Sequence, residues 1–352
     1  MWLIKLKNNI YNFSIDELKS YFLNIDEKTF RAEQIWNWLY VKGISNLKEI
    51  NNISNNLLRK IICKYEIPKL KVKKYLHSKD GTKKWLLSLG DGKEIETVYI
   101  PEKNRGTVCV SSQVGCTLSC SFCHTGTMKY LRNLAMSEII GQIIFVKNEL
   151  DDWRKNSDER KVTNIVFMGM GEPFYNYDNV LKSISVLTNE KGLAFSKRKI
   201  TLSTSGVVPK ILNFKEDSDV NLAVSLHAAF DDVRNDLVPI NKKWPIKILL
   251  NALKDYSVRR RNKRITFEYI MLDGVNDSLV DAKELIKLIK PFRAKINLIP
   301  FNPWPGSKYK VSSSKKINEF KKYILEKGQI VATVRTPRGN DVLAACGQLN
   351  SI

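Results

Sequence analysis

Three cysteines stand within eight residues, in Cys116-Thr-Leu-Ser-Cys120-Ser-Phe-Cys123. Gaps of three and two residues let the thiolates converge on one metal centre, but they supply one ligand fewer than a closed tetrahedral site needs. One coordination position stays open. Structural zinc usually draws on paired Cys-x2-Cys or Cys/His knuckles, and His124, directly after Cys123, is poorly placed to close the same site. A cuboidal iron-sulfur cluster on three thiolates, its fourth iron free for a small chelating ligand, fits better.

The spacing, with an aromatic residue just before the last cysteine, resembles the signature of the radical S-adenosylmethionine (SAM) superfamily. That resemblance implies a [4Fe-4S] cluster whose free iron is chelated by the amino and carboxylate groups of SAM, and an electron from the cluster that cleaves SAM to a 5'-deoxyadenosyl radical. Other residues have a physical reading in such a site. Gly169 and Gly171, in Gly169-Met-Gly171-Glu172-Pro173, let the backbone approach a ligand closely, and Glu172 can receive the cationic amino group of methionine. The hydroxyls of Ser203 and Ser225, with His227 and Asn302, offer hydrogen bonds to ribose and adenine. Singly each is weak, because a Gly-x-Gly loop is often a tight turn and a Ser-Thr-Ser loop often a helix cap.

What gathers them is their position after strands. Strands alternate with amphipathic helical periods from residue 102 onward, Val162 to Met168 being an apolar, β-branched run of the kind buried in a parallel sheet. Strands are expected at Thr107 to Ser111, Val162 to Met168, Lys199 to Leu202, Asn221 to Ser225, Ile265 to Ile270, Ala294 to Ile299 and Ile330 to Val334. Helices are expected between them, the first capped by Ser137. The cysteine loop, the glycine loop, the serine loop, His227, Asn302 and Cys346 all follow carboxyl ends of strands, the face on which parallel barrels assemble their sites. Six strand-helix units fit a partial (βα)6 barrel better than a doubly wound sheet, although periodicity alone leaves both open. Ahead of it, a β-meander over Lys71 to Ile100 is punctuated by Asp80-Gly81 and Asp91-Gly92. Earlier still, helices are expected at Ile15 to Phe22 behind a Ser14 cap, at Thr29 to Val41 with Gly43 as the stop, and at Ile53 to Tyr65. Cys63 in the last reads as a buried core thiol. The chain thus divides into a helical accessory domain (1–70), a connecting meander (71–101), a barrel (102–339) and a tail (340–352).

The 352 residues carry 58 Lys+Arg against 36 Asp+Glu, a net charge of +22. Such an excess attracts phosphates and points to a nucleic acid, unless it is a lysine-rich bias spread over a solvated surface. No apolar run approaches about 18 residues, and Met1-Trp-Leu-Ile-Lys5 is broken by charge, so no membrane association and a cytoplasmic location are expected. There six cysteines stay reduced. Cys109 and Cys346 read as inert small hydrophobes unless the site uses them, and Glu96 as a solvated strand residue.

Six motifs in order resemble one family closely: Cys109-Val-Ser-Ser-Gln-Val-Gly-Cys116, Phe167-Met-Gly-Met-Gly-Glu-Pro173, Ser203-Thr-Ser-Gly-Val-Val-Pro209, Ser225-Leu-His-Ala228, Tyr269-Ile-Met-Leu-Asp-Gly-Val-Asn276 and Ala344-Ala-Cys-Gly-Gln-Leu349. They are similar to the RlmN family of dual-specificity RNA methyltransferases. The resemblance implies methylation at C2 of an adenine in 23S ribosomal RNA and of an adenine next to the anticodon in tRNA, with two SAM per turnover. It implies Cys116, Cys120 and Cys123 as cluster ligands, Gly171, Glu172, Ser203, Ser225, Leu226, His227 and Asn302 as SAM contacts, and Cys346 as the methyl-carrying thiol. It further implies Glu96 as the base that takes the C2 proton, and Cys109 as the resolving thiol that forms a transient disulfide with Cys346. An electron donor such as flavodoxin and a monomeric state complete the expectation. The related Cfr-type adenine-C8 enzymes and a non-catalytic zinc-bearing RNA-binding protein are the alternatives.

Overall fold

The computed structural model describes residues 7–153, 159–259 and 264–351; the charged start, Met1 to Lys5, lies outside them. Helices α1 (Ile15–Leu23), α2 (Phe30–Asn37) and α3 (Asn55–Lys64) form the amino-terminal module. The Ser14 hydroxyl accepts from the Glu17 N–H at 3.2 Å while the Glu17 carboxylate accepts from the Ser14 N–H at 2.8 Å, so two donors at the start of α1 are satisfied reciprocally. After α2 the backbone widens into a π-turn over Trp38–Lys42, and Gly43, at φ +67°, ends it. Cys63 is exposed, not buried. Leu57 and Ile61, one turn apart, form the buried face of α3, and a residue two positions beyond Ile61 lies roughly 200° round the helix.

Ten strands form one sheet whose order is the order of the chain: β1 (Lys71–His77), β2 (Lys83–Ser88), β3 (Glu94–Glu102), β4 (Arg105–Cys109), β5 (Asn164–Phe167), β6 (Ile200–Thr204), β7 (Asn221–Ser225), β8 (Ile265–Met271), β9 (Ala294–Pro300) and β10 (Val331–Val334). Strands β1 to β4 pair antiparallel, turning at the two Asp-Gly tips and at Lys103-Asn104, and β4 to β10 pair parallel. The meander is therefore not merely a connector: it extends the barrel sheet through the β3–β4 pairing of Val98 with Cys109.

Between parallel strands run α4 (Met136–Glu149), α5 (Tyr177–Thr188), α6 (Val208–Asp217), α7 (Asp231–Leu237) with α8 (Ile246–Arg259), α9 (Leu279–Ile289) and α10 (Ser314–Gly328). Right-handed crossovers that all advance the same way put every helix on one face, whereas a doubly wound sheet reverses once and covers both. The sheet instead curls about its bare face. Cys109 of β4, Val166 of β5, Thr201 of β6, Thr266 of β8, Asn297 of β9 and Thr333 of β10 all line one hollow of about 440 Å³. Among the described residues no strand pairs with the outer edge of β1 or β10, so the barrel is partial. Helix α4 starts two residues earlier than its serine suggests: Ala135 is the cap, its N–H held by the Glu138 carboxylate at 2.9 Å, and Ser137 lies inside the first turn.

Among the described residues, no helix is long and apolar enough to cross a membrane.

Candidate active site

The loop after β4 carries the three cysteines, and all three line a second cavity, beside the barrel hollow, at the carboxyl end of the strands. Backbone donors face the sulfurs: the Leu118 N–H lies 3.3 Å from Cys116 Sγ, and the N–H groups of Thr125 and Gly126 point at Cys123. Burial pushes Cys116 up to about 12 and Cys120 well above the usual thiol range. Such thiols ionise only when a cation compensates the charge, and three thiols around one cavity, Cys120 buried and Cys116 and Cys123 half-buried with N–H donors beside them, are the donor set an iron-sulfur cluster requires. Among the described residues, no three His, Cys, Asp or Glu side chains converge closely enough to grip a single ion. A cube, whose irons sit at separate corners, asks its thiolates to stand apart.

The glycine loop after β5 faces the cysteines. A side chain at Gly171, φ +93°, would meet Gln113 Cβ at 2.4 Å, and one at Gly169 would meet the Val110 carbonyl oxygen at 2.6 Å. The glycines are required first by the crossing of the two loops, and only through that crossing by a ligand. Gln113 then accepts from the Glu172 N–H at 2.9 Å. Glu172 itself is buried, its carboxylate accepting from Phe174 N–H at 3.0 Å and Ser205 N–H at 2.8 Å. Burial outweighs those bonds and holds its carboxyl above the usual range, so an incoming cation is favoured there.

Ser203, Ser225 and His227 also line the cysteine cavity. His227 sits at φ +61°, and its Nδ1 accepts from the Ile270 N–H at 3.1 Å. Burial, then the nearby Arg234, push it down to about 3, which leaves a neutral ring with Nε2–H as donor. Leu226 is fully buried with its side chain outside the cavity, so only its backbone can contribute. Asn302 lines the barrel hollow and not the cysteine cavity. Its Nδ2–H donates to the Cys346 carbonyl at 3.0 Å, and its buried Oδ1 has no hydrogen-bond partner among the described residues.

Glu96 is buried on β3, not solvated, and lines neither cavity. It pairs with Lys84 Nζ at 2.8 Å and accepts from the Asn350 N–H at 2.9 Å, beneath the tail. The tail is fastened on several sides. Lys84 Nζ donates to the Leu343 carbonyl at 3.0 Å, Thr125 Oγ1 to the Leu349 carbonyl at 2.6 Å, and the His124 N–H to the Gly347 carbonyl at 2.7 Å. These bonds place Cys346 in the wall of both cavities, while Cys109 opens into the hollow alone. Burial raises both thiols, Cys109 to about 12, and the Arg335 charge opposes that at each.

Three residues escaped the sequence reading. Arg335 and Glu268 line the same hollow as the thiol pair; a carboxylate inside a strand otherwise of β-branched, aromatic and apolar residues was the available signal for Glu268. Arg234, fully buried on α7, donates to the carbonyls of Leu226 at 2.9 Å, Ser205 at 2.8 Å and Ser225 at 3.1 Å, and so fixes two cavity loops against each other. Its short helix offers no periodic signal.

The chain matches the Radical SAM superfamily over residues 110–287 and the Ribosomal RNA large subunit methyltransferase N-terminal domain over residues 8–67. It is 51% identical over 332 residues to the dual-specificity RNA methyltransferase RlmN of Bradyrhizobium diazoefficiens, covering 92% of this chain and 83% of that one. A relative of the same name from Parvibaculum lavamentivorans is 51% identical over 346 residues, covering 96% and 86%. A radical SAM methyltransferase crystal structure from Sphaerobacter thermophilus superposes with a TM-score of 0.91 at 39% identity, covering 98% of this chain and 99% of that one.

Proposed function

The chain belongs to the RlmN family of radical SAM RNA methyltransferases, and on that premise we propose that it methylates C2 of an adenine in 23S ribosomal RNA and of an adenine next to the anticodon in certain tRNAs. An enzyme of this family is not a zinc-bearing binding module, and that alternative falls away. One observation carries the proposal: Cys346 stands in the wall shared by the cysteine cavity and the barrel hollow, with Cys109 opening into the same hollow. A thiol so placed can take a methyl group from one chamber and present it to a nucleobase in the other.

C2 of adenine is an electrophilic sp2 carbon, so direct attack on a methyl cation equivalent fails there. A [4Fe-4S] cluster held by Cys116, Cys120 and Cys123, with two SAM per turnover, supplies methyl groups and one-electron chemistry when bound. The chain's own residues do the rest. Glu172 receives the methionine amino group, and Ser203, Ser225, the Leu226 backbone and the His227 Nε2–H hold the nucleoside. Asn302 holds the tail at Cys346, and its free Oδ1 remains to accept from the bound ligand. Cys346 carries the methyl carbon that becomes bonded to C2. Glu96 accepts the C2 proton, its basicity raised by burial, and to reach it the tail must release the Asn350 contact. The Cys109 thiolate then attacks the Cys346 sulfur; an S–S bond forms, the S–C bond to the RNA breaks with its electron pair passing to the methylene carbon and the adenine ring, that carbon takes up a proton to become the methyl group, and methylated RNA leaves. The Arg335 charge favours the thiolate this step needs. The helices over 1–70 dock RNA, a flavodoxin-type donor supplies electrons, and the protein acts as a cytoplasmic monomer.

The test is digestion of RNA treated with cluster-reconstituted protein, SAM and a reductant, followed by mass spectrometry. 2-Methyladenosine is expected; 8-methyladenosine in its place overturns the regiochemistry, and no methylated adenosine overturns the proposal.

A further inference from the structure

The unpaired edge of the sheet carries a feature that the methyl-transfer chemistry does not use. Strand β1 reads Lys71-Val-Lys-Lys-Tyr-Leu-His77, and Lys71, Lys73 and Lys74 are all exposed. The β1–β2 register slips between Val72 and Lys74, so one extra residue is accommodated there, and Lys74 comes to stand opposite Leu86, which stands opposite Glu96. Lys71 stands opposite Ser88, which stands opposite Glu94.

Facing residues in neighbouring strands share a sheet face, and residues two apart along a strand share it too. Lys71 and Lys74 therefore lie on the face that bears Glu96, Lys84 and, through Val98, Cys109. Tyr75 lies on the opposite face, stacked with Trp85 at 5.6 Å, which in turn meets Phe145 of α4. The antiparallel course of β1 to β4 also puts Lys71 and Lys74 at the same end of the sheet as the cysteine loop. The face around them is open: Leu86, Ser88 and Glu94 are half-buried, whereas Glu96, one row inward, is covered. Lys74 is near enough for its charge to act on Glu96.

We propose that Lys71 and Lys74 on the edge strand contact the phosphate backbone of the substrate RNA and lead it across the open sheet face to the tail above Glu96. The inference rests on the RNA-methyltransferase reading and adds where the polyanion lies. Lysines on an edge strand also discourage strand pairing between molecules, so the test must separate the two roles.

Binding of fluorescently labelled, unmodified tRNA to the full-length protein, and to the variant Lys71→Ala/Lys74→Ala, is measured from 50 to 300 mM salt. A charge-matched control, Lys247→Ala/Lys254→Ala, removes two exposed lysines from the outer helix α8. Loss of two phosphate contacts lowers the slope of log affinity against log salt by between about 1.4 and 1.8. That loss in the edge variant, with the control unchanged and Lys71→Arg/Lys74→Arg restoring the slope, is the expected result. An edge variant that binds as wild type overturns the proposal, whether or not it self-associates, and so does a wild-type protein with no salt-dependent affinity for tRNA. The readout is binding, so a chemistry that proves to be C8 methylation leaves this outcome legible.

Discussion

Lys84 Nζ lies 2.8 Å from Glu96 Oε1, and both partners reach past their own strands to hold the tail, at the Leu343 carbonyl and the Asn350 N–H. A single buried ion pair thus ties the meander to the segment that bears Cys346. Removing one partner leaves an uncompensated charge, which is far more costly than removing both.

Lys84→Met is expected to lower stability by about 3–5 kcal/mol, read as a fall in Tm and faster proteolysis of the tail. Lys84→Met/Glu96→Gln should recover most of that loss while methylation stays absent. Strict additivity of the two substitutions in thermal melts would show that the pair does not act as a unit.

Cys346→Ala should abolish methyl transfer while SAM cleavage continues, because the three cluster thiols are untouched. Cys109→Ala should accumulate a protein-RNA crosslink, visible as a shifted band that nuclease collapses. Normal turnover by either variant contradicts the role given to that thiol.

His227 is pushed down to about 3, against its ordinary 6.5. The folded protein therefore binds fewer protons there than the unfolded chain between those values. Stability from this group rises with pH across that window and is lost as pH falls, at no more than roughly 1.4 kcal/mol per unit. Glu96, Glu172 and Glu268 act in the opposite sense. Burial raises each above its ordinary 4.5, so the folded chain retains protons that the unfolded chain releases, and their contribution declines as pH climbs from 4.5. Melts of cluster-free protein should show the gap between wild type and His227→Gln widening up to pH 6.5. A constant gap from pH 4 to 6.5 would rule this out.

Gly171→Ala should cost more than Gly274→Ala. Both sites have positive φ, but a new Cβ at residue 274 meets nothing within 4 Å, whereas at residue 171 it strikes Gln113 at 2.4 Å. Backbone strain of about 1–2 kcal/mol is common to both, and overpacking adds a further ~1–3 kcal/mol at residue 171 alone. Equal Tm shifts for the two variants would mean that Gln113 moves aside freely.

The strands of the barrel were legible because each is a short, largely apolar run set between amphipathic helices; Asn221–Ser225 falls where its pattern places it. The two Asp-Gly tips were equally plain. Hairpin chemistry says which strands pair, however, and nothing about which edge a finished sheet accepts, so the union of meander and barrel was not readable. Glu96 looked solvated because its cation lies on a neighbouring strand and its amide donor at the far end of the chain. Cys63 looks buried in the sequence because Ile61 and Ile62 stand beside it, while helical geometry turns it away from the face that Ile61 shares with Leu57. Asn302 follows the correct strand, yet its side chain is claimed by the Cys346 carbonyl, a partner that no local pattern discloses.

Strand order in the sheet repeats chain order, so during translation every new strand meets a neighbour already out of the ribosome. The segment holding Cys346 is synthesised after all ten strands. A message cut short between codons 335 and 346 would keep the codons of all three cluster cysteines and lose the tail sulfur, together with the Gly347 and Leu349 carbonyls that hold His124 and Thr125 beside Cys123.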